Sequence, residues 1–132
     1  MNVMKPIASN AIPKGEEWFY EVKYDGFRCQ VDWDLHEIKL ISKNKKDLTD
    51  HFPEIVDYCL QHQTLIKHYL PLKLDGELVI LNTAYQANFN TIQQRGRLKH
   101  TEKINHAAKK RPATLMVFDV LKINFLKSVK YI

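Results

Sequence analysis

Between Trp18 and Trp33 the chain reads WFYEVKYDGFRCQVDW, two runs of alternating apolar residues interrupted by Asp25-Gly26. An Asp-Gly pair between such runs is the strongest short-range signal for a β-hairpin. The spacing predicts a two-residue loop with Tyr24 opposite Phe27, Lys23 opposite Arg28, Val22 opposite Cys29, Glu21 opposite Gln30 and Tyr20 opposite Val31. Strand side chains alternate with period two. Trp18, Tyr20, Val22, Tyr24, Phe27, Cys29, Val31 and Trp33 are therefore expected on the core face, and Glu21, Lys23, Arg28, Gln30 and Asp32 on the other. This pairing sets Lys23 against Arg28, and like charges directly across a strand pair are destabilising. Either an anion lies between the two cations or both point into water, where Glu21 and Asp32 offset part of the repulsion.

A second run, Leu72 to Leu81 (LKLDGELVIL), reads as a central strand because both faces turn apolar after Glu77. A carboxylate in such a strand needs a cation, a metal or several donors, which makes Glu77 a candidate site residue. Gly76 beside it marks a bulge or a close backbone approach. The competing reading is a second Asp-Gly turn with Glu77 at its wet edge.

These words together resemble a known family. Lys23-Tyr24-Asp25-Gly26-Phe27-Arg28 is similar to the KxDGxR signature of covalent nucleotidyltransferases, the ATP-dependent DNA ligases, RNA ligases and mRNA capping enzymes. Met4-Lys5-Pro6-Ile7-Ala8, Pro13, Gly15, Trp18 and Glu21-Val22-Lys23 look like the entry to the ligase domain of bacterial end-joining ATP-dependent DNA ligases. Leu74-Asp75-Gly76-Glu77-Leu78 resembles the family's DGEL motif, and Phe89 to Arg95 (FNTIQQR) its F-x-x-L-Q-x-R segment. The resemblance runs from Met4 to Ile123 and covers about the first half of the family's catalytic domain; no E-G-x-x-x-K or K-x-K motif and no OB-fold sequence follows. It implies that residues 1–132 are the N-terminal portion of an adenylation domain. The expected fold is α+β, antiparallel sheets with flanking helices, the ATP-grasp-like fold of ligases and capping enzymes.

What the resemblance implies about chemistry is specific. Lys23 is the nucleophile that takes AMP from ATP, and Glu21, Val22, Lys23, Arg28, Lys43, Glu77 and Phe118 contact the nucleotide. Glu77 serves the ribose and a phosphate-bound Mg²⁺, while Phe118 stacks on adenine. Read alone, a single aromatic in the apolar run Thr114 to Ile123 is more often core than platform. Lys43 stands where the family has arginine, a point charge in place of a planar fork. The implied partner is nicked or broken double-stranded DNA, with a C-terminal ligase portion to complete the enzyme. Slow self-adenylylation or none, and self-association through apolar surface on the Thr114 to Ile123 strand, are expected of this length alone. The alternatives are a catalytically silent nucleic-acid-binding remnant and an RNA ligase or capping-type nucleotidyltransferase.

Composition bounds the rest. The 132 residues carry 20 Lys and Arg against 15 Asp and Glu, a net charge of +5, and a pI near 9.2. That balance favours a polyanionic partner and equally describes an ordinary basic protein. Cys29 and Cys59 form no CxxC pair, and no apolar run approaches the ~20 residues that span a bilayer. The expectation is a cytoplasmic, bacterial, nucleoid-associated protein with no membrane partner. Cys59 and His62 are the one soft pair at helical spacing, but Cys59 falls on an apolar stripe, which argues against structural zinc.

Helices are expected where the period changes. Thr49-Asp50 offers an N-cap, Pro53 suits a first turn, and Phe52, Ile55, Val56, Cys59 and Leu60 recur at helical spacing. Asn88 starts a short helix with Gly96 as its stop, and Thr101 caps another that ends before Pro112. Glu37 to Ser42 completes the strands, followed by the cationic turn Lys43-Asn44-Lys45-Lys46.

Overall fold

The computed structural model describes residues 11, 14–16, 23–124 and 126–127. In chain order its elements are β1 (Phe27–Trp33), β2 (Ile38–Ser42), α1 (Pro53–Ile66), β3 (Leu72–Val79), β4 (Leu81–Thr83), β5 (Gln86–Ala87), α2 (Phe89–Arg97), α3 (Thr101–Lys110), β6 (Thr114–Ile123) and β7 (Leu126–Lys127). Strands β1, β2, β3, β6 and β7 form one sheet in the order β2-β1-β3-β6-β7, and β4 pairs with β5 separately. Every pairing is antiparallel. The mixed architecture of antiparallel sheet and helices is the expected one, and β3 is the central strand that its apolar run predicted. No helix among the described residues is long and apolar enough to cross a membrane.

The hairpin around Asp25-Gly26 is not there as read. A strand has two hydrogen-bonding edges, and β1 uses both from Cys29 to Trp33, one on β2 and one on β3. Cys29, Gln30 and Val31 are therefore paired on both sides. Lys23, Tyr24 and Asp25 belong to no strand. Arg28 faces Glu77 across the β1–β3 pair, not Lys23. The positions Trp18, Tyr20, Glu21 and Val22 lie outside the described residues. The facing of β1 holds, with Cys29, Val31 and Trp33 buried and Arg28, Gln30 and Asp32 on the opposite side.

The apolar side of the sheet is closed by α1 and α2, which bury Phe52, Ile55, Cys59 and Ile92 with Val31, Leu40 and Leu78. Pro53 takes the first turn of α1, where its missing N–H costs nothing. Thr49 and Asp50 form a separate 3₁₀ turn just before it instead of capping it. Leu60 is 55% exposed, so the buried stripe is narrower than the periodicity allowed. Asn88 caps α2 as expected, its side chain accepting the Thr91 N–H at 3.0 Å. Gly96 lies within α2 and is not its stop. A Cβ there would sit 2.8 Å from the Phe27 ring, so the glycine admits an aromatic against the helix. Thr101 is the first residue of α3, and the cap position belongs to His100.

Arg95, from the FNTIQQR segment, is also placed by the fold. It is almost wholly buried, donates to Glu54 at 2.6 Å and to the His51 carbonyl at 3.0 Å, and lies 5.0 Å over the Phe52 ring. Glu54 accepts the Ala113 N–H through its second oxygen. The pair ties α1, α2 and the start of β6 together on the side of the sheet away from the polar face.

Candidate active site

The site is built on the polar face of β1, β2, β3 and β6. Cross-strand partners share a face, so Arg28 and Glu77, Gln30 and Asp75, and Asp32 and Lys73 stand in adjacent rows. At the centre, Arg28 forms a two-pronged pair with Asp75. Its Nη2 donates to Oδ2 at 2.5 Å and its Nε to Oδ1 at 3.2 Å. Asp75 is 2% exposed. The planar fork matches a carboxylate in both directions, which fixes the guanidinium as no single bond would. The hydrogen bond to Asp75 raises the Arg28 pKa further above its ordinary value.

Glu77 lies beside this pair and is only partly buried. Burial pushes its carboxyl above the ordinary glutamate range, while a hydrogen bond from the Gly26 N–H and the charge of Arg28 pull the other way. That amide joins the two motifs, since Gly26 belongs to the KYDGFR segment and Glu77 to DGEL. The glycine is required by space. A Cβ on Gly26 would fall 1.9 Å from the Leu78 carbonyl oxygen, so only a bare backbone packs against β3 there. Tyr24 anchors the same loop by donating from its hydroxyl to the Ala84 carbonyl at 2.8 Å, at the tip of the β4–β5 hairpin. Lys23 is exposed at the start of this loop.

Gly76 shows both features read from the sequence. The pairing of β3 with β6 shifts register between Asp75 and Gly76, from Asp119 to Val117, leaving Phe118 as the extra residue of a bulge. A Cβ on Gly76 would lie 2.6 Å from the Met116 carbonyl oxygen. The bulge explains Phe118, which is 54% exposed and not core. The Arg28 guanidinium lies 5.3 Å from its ring centroid, within cation–π range.

Lys43 rises from the turn after β2, where the Lys45 N–H donates to the Ser42 carbonyl at 2.9 Å and Ser42 N–H to the Lys46 carbonyl at 2.8 Å. Lys45 adopts a φ of 66° to close it. Lys43 and Lys45 overlook a concavity of about 170 Å³ that also touches Arg28, Gln30, Asp32, Lys73 and Asp75. The structure thus brings Arg28, Lys43, Glu77 and Phe118 to one face and attaches Lys23 to it through the Tyr24 and Gly26 anchors. Glu21 and Val22 lie outside the described residues. Among the described residues, no three His, Cys, Asp or Glu are grouped to hold a metal. Asp75 is the residue that sequence reasoning passed over. It stands in the same motif as Glu77 and on the same face, and only the register shows that the arginine fork takes the diagonal carboxylate.

Comparison with known proteins identifies the family. The family model described as the ATP dependent DNA ligase domain matches residues 2–130. The bifunctional non-homologous end joining protein LigD of Bacillus subtilis is 41% identical over 118 residues, which is 89% of this chain and 19% of the relative. A DNA ligase of Methanobrevibacter smithii is 34% identical over 104 residues, 76% of this chain and 17% of the relative. The chain therefore spans less than a fifth of the length of these curated relatives. Among solved structures, mycobacterial DNA ligase D complexed with ATP and MES superposes with a TM-score of 0.60 at 23% identity, over 81% of this chain and 30% of that one. That likeness establishes the shared fold, and the match over residues 2–130 establishes that the chain belongs to the ATP-dependent DNA ligase domain family.

Proposed function

We propose that the chain is the nucleophile-bearing N-terminal part of an adenylation domain, which forms lysyl-AMP and passes the AMP to a DNA 5′-phosphate before strand sealing. The observation that carries the proposal is the close packing of Gly26 on the β3 backbone, where a Cβ would fall 1.9 Å from the Leu78 carbonyl oxygen, which sets the KYDGFR loop against the DGEL strand within a ligase-family chain. Neutral Lys23 Nζ attacks the α-phosphorus of ATP. A P–N bond forms, the bond to pyrophosphate breaks, pyrophosphate leaves with its electron pair, and the ammonium proton is lost. Lysine is a nucleophile only when deprotonated. Arg28, held by Asp75 in a fixed orientation, is a preorganised donor for the nucleotide's phosphates. Phe118 offers an exposed ring for the base, and Lys43 a cation for the sugar-phosphate. That the similar mycobacterial ligase was solved with ATP supports ATP as the substrate.

The polar face also fits Mg²⁺. Magnesium ordinarily takes one or two protein carboxylates and completes its shell with water and substrate phosphates, so one carboxylate at Glu77 suffices where the described residues hold no three-ligand cage. When bound with the nucleotide the ion supplies charge neutralisation at the phosphates. The partner this reading assigns is nicked or broken duplex DNA, with the remainder of a ligase completing the enzyme.

Incubation of the purified chain with α-labelled ATP or GTP and Mg²⁺, followed by denaturing electrophoresis, tests the assignment. Label from ATP in preference to GTP is expected. Preference for GTP would move the chain to a capping-type activity, and no label from either would leave a silent remnant.

A further inference from the structure

Lys23 and Arg28 do not face each other, but other like charges do on the same face. In register across the sheet, Lys39 stands opposite Asp32, Asp32 opposite Lys73, Lys73 opposite Lys122 and Lys122 opposite the Lys127 position. One row thus crosses all five strands with four lysine positions and a single aspartate. Lys73 and Lys122 are direct cross-strand neighbours, an arrangement that costs stability unless an anion lies over it.

The ion pairs of Lys39 and Lys73 are long. Lys73 is 3.5 Å from Asp32 and Lys39 is 3.5 Å from the exposed Glu37, long contacts at positions reached by solvent, where an ion pair contributes little and exchanges readily. From β2 to β6 the row extends ~14 Å, three strand spacings. Phosphates on one strand of a duplex recur every ~3.4 Å along its axis, so the row can lie along several in succession. It lies four residues along β1 from Arg28, about 13 Å at strand rise. A DNA strand with its end at the candidate active site therefore has its neighbouring backbone over these lysines.

We infer that Lys39, Lys73 and Lys122 form a phosphate track for one strand of duplex DNA. The inference rests on the ligase reading for its occupant and on the register for its position. Its recognition is of backbone alone, so it is indifferent to base sequence.

The test is fluorescence anisotropy of a short labelled nicked duplex against the purified chain over a salt series. Three variants are compared with wild type: Lys73→Gln with Lys122→Gln, Lys39→Gln alone, and Lys109→Gln with Lys110→Gln at the end of α3. The first and third change net charge equally. Each phosphate contact contributes about 0.9 to the slope of log K against log salt. The row pair should flatten the slope by about 2 and Lys39→Gln by about 1, with the α3 pair changing it by less than about 0.5. Equal flattening by the row and α3 pairs, or no binding by wild type at the lowest salt, overturns the track. A row-dependent slope on duplex RNA with none on duplex DNA overturns the assignment to DNA. Covalent labelling is not read in this assay, so failure of the track and failure of the adenylation reading are distinguishable.

Discussion

Glu77 carries a charge that burial opposes, and its variants separate function from stability. Its folded-state pKa is raised above the ordinary value of 4.5, with burial the largest cause. A raised carboxyl favours the protonated form in the folded state, so this group's stabilising contribution is present below the ordinary value and is lost as pH rises through the raised one. Glu77→Gln should therefore be at least as stable as wild type to urea at pH 7, the difference disappearing once both are below the ordinary value. Labelling by ATP should nevertheless fall by about 10²-fold, the size of effect expected when one preorganised polar group leaves a site. Loss of stability at pH 7 with labelling unchanged would make Glu77 a structural partner of Arg28. Glu77 was legible as a charge stranded in an apolar run, and Gly76 as the break beside it. Asp75 and the exposure of Phe118 were not. Alternation places Asp75 and Glu77 on one face without saying which accepts the fork, and an extra residue in a bulge leaves no mark on the period.

At the scale of elements, two glycines discriminate between backbone and side-chain crowding. A Cβ on Gly26 meets the Leu78 carbonyl, whereas one on Gly96 meets the edge of the Phe27 ring. Backbone of a central strand cannot yield, so Gly26→Ala should cost about 3 kcal/mol or more and break the link to Glu77. The ring can tilt, and alanine is favoured over glycine in a helix by about 1 kcal/mol, so Gly96→Ala should fall within about 1 kcal/mol of wild type. Urea melts of the two variants check both figures. The Arg95–Glu54 pair is the other joint. Glu54→Ala leaves the Arg95 guanidinium buried without its carboxylate and should cost about 3–5 kcal/mol, read from the same melts; a loss below about 1 kcal/mol would show that Arg95 finds water. Most elements were readable from periodicity and caps, including β3, β6, α1 and α2. The misplaced hairpin has a definite cause. Asp-Gly between alternating runs is a local signal, and it lost to two long-range pairings that fill both edges of β1. In place of a turn, the Asp-Gly pair supplies a residue without a side chain where the loop crosses β3.

For the molecule as a whole, the sheet divides the labour. One face is core, closed by α1 and α2, and the other is polar, with Arg28, Asp75, Glu77 and Phe118 toward one end and the lysine row toward the other. The net charge of +5 pointed to a polyanion without locating it; the proposed track assigns it to the row of Lys39, Lys73 and Lys122. Val117 and Phe118 of β6 are exposed. Lys23 is the group proposed to take AMP. The most direct measurement is peptide mapping of the adduct formed from α-labelled ATP and Mg²⁺ with stoichiometric enzyme, on wild type beside Lys23→Ala. The account predicts a slowly formed adduct confined to the peptide containing Lys23 and absent from Lys23→Ala, which folds as wild type does because Lys23 is exposed. An adduct of unchanged yield on Lys23→Ala would contradict it.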